Sequence, residues 1–195
     1  MRFCVLLLVA VVVGAIVFVT VRRQVRLVQK EASRQLAMSQ LVQQAAVGGA
    51  PTGVLGAKWL MSMKEVAKLT PDVKPLSPGV LARPEKFYER PATVTYHFTN
   101  DLLLLAIVHF TGPSTPADFE NVQARLAKEY GPMPRAQAAA PEQLVSMKMM
   151  HHIVIRHSLS GSGAAAAEQV QFYVRGGGDP KVMPKANVAL GKQSP

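Results

Sequence analysis

The chain has 195 residues and a formal net charge of +10, and 49% of its residues are hydrophobic. Its single cysteine, Cys4, excludes an internal disulfide framework. The basic residues are not interleaved with stacking aromatics, so a nucleic-acid partner is not expected; the length holds one domain plus extensions.

The run Phe3 to Val21 contains no charge and one hydroxyl, Thr20. As a helix it spans about 28 Å, close to a hydrocarbon thickness of ~30 Å. A cleavable signal needs a shorter apolar core and small residues before the cut. Here Val17, Phe18, Val19, Thr20 and Val21 are bulky. The sequence therefore predicts an uncleaved, single-pass membrane anchor over residues 1–21. Behind it come Arg22, Arg23, Arg26, Lys30 and Arg34 against one acid, Glu31. Each basic residue near an anionic lipid surface contributes roughly 1 kcal/mol, so these five are the expected lipid-headgroup contacts. The same bias favours the cytoplasmic face for the remainder of the chain. A short basic start before an apolar run also serves as an export signal, which leaves the side open.

Residues 22–47 read as a basic stalk helix, without Pro or Gly, that ends at Gly48-Gly49. Its apolar positions shift from Val25, Val28 and Ala32 to Met38, Leu41 and Ala45, too interrupted for a coiled coil; a weak self-association face is the sharper reading. Residues 48–56 (GGAPTGVLG) are a flexible linker by composition. The folded domain is expected over 57–175.

Ser62 to Glu65 forms a capping box, with Met61 and Val66 placed as a hydrophobic staple. Val66 and Leu69 should face inward, and Pro71 ends the helix. The proline-rich stretch 72–91 reads as an irregular connection, with room for a short edge strand. Thr93 to Thr99 alternates cleanly; Asn100-Asp101 suits a turn with positive φ. Leu102 to Thr111 returns as a strand apolar on both faces. Thr115, Pro116 and Asp118 start a second helix, with Phe119, Val122, Leu126 and Tyr130 on one face and Gly131-Pro132 after it. Met147 to Leu159 and Gln169 to Arg175 read as two further strands around a Ser/Gly/Ala loop, and 176–195 as a disordered tail. The resulting class is α+β: an αββαββ domain with two helices on a four-stranded antiparallel sheet.

Lys58-Trp59 ahead of the capped Ser62–Val66 segment, together with Tyr130-Gly131 closing the later helix, resembles small bacterial cell-envelope domains. The αββαββ order is similar to that of the β-lactamase inhibitor proteins and, in part, of outer-membrane assembly lipoproteins. The resemblance implies an exported binding or assembly module without catalysis. It carries no functional residue over, and the lipid-attachment Cys of the lipoproteins has no counterpart here.

Five histidines are the first candidates for chemistry: His97 and His109 on the first hairpin, and His151, His152 and His157 later. On one strand, His151 and His157 would stand about 20 Å apart, too far to share an ion. No Cys, Asp or Glu beside them completes a metal set, so sheet histidines are expected. Ser158 and Ser160 lie close to His157 without a nucleophile elbow. Glu85 and Glu89 read as solvated carboxylates. Gly176-Gly177-Gly178 precedes Asp179-Pro180 rather than a helix, as a phosphate loop would. Met147, Met149 and Met150, with Met61 and Met63, read as core filling, with an adaptable binding surface as the alternative. No catalytic residue, metal or cofactor is assigned. The sequence predicts a membrane-tethered binding or assembly module with a protein partner, and alternatively a peripheral lipid-binding protein or a histidine-based metal protein.

Overall fold

The protein is described by a computed structural model that covers residues 2–47, 49–70, 72–136 and 143–175. Within the first helix the described side chains begin at Phe18 and omit residues 31, 34 and 45–47. The predicted tail, 176–195, and its triple glycine lie outside the described residues. The chain divides into two compact units, 1–40 and 41–195.

Helix α1 runs without interruption from Arg2 to Val47, as expected of a stretch without proline whose glycine, Gly14, is isolated. It joins the predicted anchor and stalk in one element. Among the described residues no helix is long and apolar enough to cross a membrane; the described side chains of α1 start behind most of its apolar run.

Part of the expected flexible linker is ordered. Strand β1 (Gly53–Val54) pairs with β2 (Ala57–Lys58) in a tight hairpin. Leu55 and Gly56 turn it, both with positive φ, the requirement of a type I′ turn. The strands approach so closely at Gly53 that a Cβ there would collide with the Ala57 carbonyl oxygen. Trp59, next in sequence, is buried, and its indole N–H donates to the Pro51 carbonyl at 2.8 Å.

Helix α2 spans Met63–Leu69 behind the capping box read from sequence, with both reciprocal hydrogen bonds formed. Val66 is fully buried, but Leu69 is exposed and does not join the core. After it come β3 (Lys74–Ser77), β4 (Val80–Phe87), β5 (Arg90–Thr99) and β6 (Leu102–Phe110). Helix α3 (Pro116–Tyr130) has the predicted Thr115 cap, reciprocated by Asp118. Strands β7 (Leu144–Met150), β8 (Ile153–Ser160) and β9 (Ala167–Val174) complete the fold.

The sheet is antiparallel and seven-stranded, in the order β3-β4-β5-β6-β9-β8-β7, so the expected four strands and αββαββ order are corrected. Two of the extra strands, β3 and β4, come from the proline-rich stretch. Prolines are tolerated at sheet edges: β3 is itself an edge, and its pairing stops opposite Ala82, which leaves the outer side of β4 unpaired around Pro84. The third arises because 147–159 is not one strand. His151, at φ +54, and His152 turn it into the β7–β8 hairpin.

The β5–β6 hairpin forms as predicted, with Asn100 and Asp101 both at positive φ. Helix α2 is held at its turn, where the Met63 N–H donates to Asp101 Oδ1 at 3.0 Å. The pairing registers place Val94, Tyr96, Ala106, Val108, His157, Val170 and Phe172 on one face of the sheet. Helix α3 lies against this face: Phe119 stacks on His157 and Tyr130 meets Phe172 edge-on. On the other face Leu105, Ile107, Val154 and Tyr173 form a separate buried cluster. Thr95, His97 and His109 share that second face.

Candidate binding site

Burying a charge is costly unless it is paired and hydrogen-bonded. Strand β9 carries such a charge, for Glu168 has a side chain with no solvent exposure. Three groups compensate it. Arg90 Nη1 donates to Oε2 at 2.6 Å, His157 Nε2 lies 2.8 Å from Oε1, and Ser114 also hydrogen-bonds the carboxylate. Arg90 reaches further, donating from Nη2 to Ser114 Oγ at 2.8 Å while its guanidinium covers the Phe110 ring at 4.2 Å. The cluster closes on α3, where Gln123 Oε1 lies 3.1 Å from His157 Nδ1 and Gln123 Nε2 donates to the Met133 carbonyl. Phe119 stacks on the imidazole at 3.9 Å and 7°, with the Arg135 guanidinium 4.6 Å from its centroid.

Burial alone would push the Glu168 carboxyl up, but the hydrogen bonds from His157, Arg90 and Ser114 outweigh it and hold the group below its ordinary value. For His157 burial wins over Glu168 and lowers the imidazole. The carboxylate is ion-paired with the Arg90 guanidinium. The cluster is not a nucleophilic triad, in which the histidine stands between serine and acid; here Glu168 stands between His157 and Ser114. Ser158 and Ser160, which follow His157 in sequence, alternate with it along β8 and belong to the opposite face. The arrangement braces β5, β8, β9 and α3 rather than presenting a reactive atom.

Above this brace lies a cavity of about 740 Å³. Pro113 to Pro116, leading into α3, form one wall, and the β8–β9 connection from Gly161 to Ala166 forms the other. Leu144 and Leu159 line it from the sheet side, continuous with the buried cluster of Phe119, Leu159 and Ala166. The walls are tied together by the Ser114 N–H donating to the Ala166 carbonyl at 3.2 Å.

The other histidines are dispersed. His97 and His109 are mostly buried on the second sheet face; burial, helped by His109, brings His97 down to about 4, and burial also lowers His109. His97 Nε2 lies 3.0 Å from Thr95 Oγ1. His151 and His152 sit at the β7–β8 turn. Among the described residues no group of three or more His, Cys, Asp and Glu could hold a metal ion. The sequence reading missed that His157 has a carboxylate within reach. The available signal was Glu168 as the lone charge opening an apolar strand, whose register sets it opposite Leu159 and diagonal to His157. Glu85 pairs with Arg83 at 2.6 Å, and Glu89 lies in the β4–β5 turn.

Of the expected headgroup contacts, Arg22, Arg23, Arg26 and Lys30 are all exposed on α1. Positions 22, 26, 30 and 34 keep a four-residue spacing, so they form one stripe along the helix; the Arg34 side chain lies outside the described ones. Met147 and Met149, read as core, are instead exposed side by side on β7.

No protein-family model matches the sequence, and no curated relative matches it. A solved structure similar to this chain is that of a DUF4309 family protein, YjgB, from Bacillus subtilis subsp. subtilis str. 168, with a TM-score of 0.42 and 12% sequence identity, covering 71% of this chain and 95% of that one.

Proposed function

We propose that this protein is a membrane-tethered, non-enzymatic binding or assembly module. The observation that carries the reading is the continuity of α1, which joins an uncharged run, residues 3–21, to an exposed basic stripe without a break. An apolar run of that length partitions into a bilayer, and basic residues directly behind it meet the headgroups. The α+β domain offers two features for binding: the apolar cavity, and the exposed Met147 and Met149, thioether side chains that adapt to varied partners. Strand addition is supported less well. Edge strand β3 is short and contains Pro75 and a register shift. Edge strand β7 is already engaged along its first half, where Ala136 N–H donates to the Val145 carbonyl and Met147 N–H to the Pro134 carbonyl.

The test is extraction and topology of the full chain. It should stay with membranes through alkaline carbonate, and release into the supernatant with residues 1–21 intact would reject the tether. An Asp72→Cys variant, on an exposed loop position, then reports the side: labelling by an impermeant thiol reagent only after lysis places the domain inside, labelling of intact cells outside.

The second reading is peripheral lipid binding through the stripe, favoured by the exposure of Arg22, Arg23, Arg26 and Lys30. It predicts binding to anionic vesicles that weakens steeply between low and physiological salt. Equal binding to neutral vesicles would reject it.

A further inference from the structure

We propose that the cavity between the start of α3 and the β8–β9 connection is a binding site for a single uncharged apolar ligand, an alkyl chain with a neutral head. The inference does not rest on the membrane reading. Its size, about 740 Å³, falls in the range of small-molecule sites, which are concave, largely apolar and preformed. The walls are preformed by the Ser114–Ala166 backbone bond and by the buried brace behind Ser114.

The chemistry of the lining selects against charge. Among the described residues no Asp, Glu, Lys, Arg or His lines the cavity. Behind the lining residue Ser114, Arg90 and Glu168 are engaged with one another and Arg90 with Ser114. The Thr115 hydroxyl is likewise committed, donating to Asp118 Oδ2 at 2.6 Å and accepting from the Asp118 N–H. A charged head drawn inside would be buried without a partner, which is far costlier than burying a hydroxyl. The interior is left to Pro113, Pro116, Leu144, Leu159, Ala164 and Ala166. Ser162 is exposed at the rim and its hydroxyl caps no backbone group, so a neutral polar head would meet it there.

The experiment uses the full chain in lipid nanodiscs with a long-chain alcohol that carries a diazirine at mid-chain. After photolysis the sites of insertion are mapped by peptide mass spectrometry. Saturable insertion into 113–116 and 159–166 is expected. 1-Dodecanol should compete roughly tenfold or more better than dodecanoate or dodecyltrimethylammonium. Ala164→Trp should abolish insertion at these segments, while Ala165→Trp, on the same turn but outside the lining, should leave it intact; an unchanged cooperative urea transition followed by far-UV circular dichroism would show that both variants fold. Equal competition by the charged chains overturns the proposal, as does undiminished insertion in Ala164→Trp. Absence of saturable alcohol insertion also overturns it, including where an apolar peptide occupies the cavity instead. A photoreactive phospholipid in the same nanodiscs distinguishes the source: its insertion at these segments identifies a bilayer acyl chain, insertion of the free alcohol alone a dissolved amphiphile, and either supports the ligand chemistry. Insertion into residues 3–21 reports the tether separately.

Discussion

Replacing Glu168 with alanine should destabilise the domain by about 3–4 kcal/mol. Removing one partner of a buried ion pair costs about 3–5 kcal/mol, because the other charge stays behind unpaired. Here the orphaned partner is Arg90, whose side chain keeps 24% exposure and can hydrate in part, which moves the figure toward the lower end. His157 and Ser114 lose an acceptor as well, at sites without solvent to replace it. Urea unfolding monitored through the emission of Trp59, the single tryptophan, reads the loss. Arg90→Ala should cost a comparable amount, since it strands the fully buried carboxylate. The double variant should then cost less than the two singles together by about 2 kcal/mol, the signature of residues in one network. A Glu168→Ala variant within about 1 kcal/mol of the parent, or strictly additive singles, would refute the view of this cluster as a brace.

His97 titrates near 4 in the folded chain against 6.5 unfolded, so the unfolded chain binds the extra proton; stability is full above pH ~6.5 and falls by at most about 3 kcal/mol as pH drops toward 4. His109, lowered by burial on the same face, adds in the same direction. Thermal melts of His97→Gln across this window should show a shallower slope, and an unchanged slope would show that His97 is not the titrating group. Gly161→Ala should cost about 1–3 kcal/mol, since φ is +83 and the new Cβ would meet the Ala165 carbonyl oxygen at 2.8 Å. Gly49→Ala, with φ +76 but open space, should cost about 1 kcal/mol; a Gly161 variant no worse than the Gly49 one would remove the close approach as the cause.

What could be read from the sequence was chemistry local to a few neighbouring residues. The Ser62 capping box and the Thr115 cap formed as read because cap and partner stand three residues apart, and the structure adds the reciprocal bond from Asp118 at Thr115. The Asn100-Asp101 turn was legible for the same reason. What escaped depends on pairing between distant segments. Pro75 and Pro84 argue against strands when read alone, and only the sheet order shows that they lie on or beside an edge. His151 takes positive φ without being Gly, Asn or Asp, so the β7–β8 turn carried a weaker signal. The Ser114–Arg90–Glu168–His157 cluster draws on four separate segments, and no spacing rule connects them. The exposure of Met147 and Met149 comes from β7 being an edge, which alternation along the strand does not reveal.

The position of β9 between β6 and β8 sets an order of events for a chain made from its N-terminus. Strands β3 to β6 can pair as they emerge, and so can β7 with β8, but these two blocks share no ladder until residues 167–174 are available. Until then β6, apolar on both faces, holds an open edge, the kind of surface that recruits other chains. At synthesis rates of about 5–20 residues per second, that exposure lasts seconds. A ribosome paused ahead of Ala167 would prolong it, and a chain cut there would be left as two unjoined sheets.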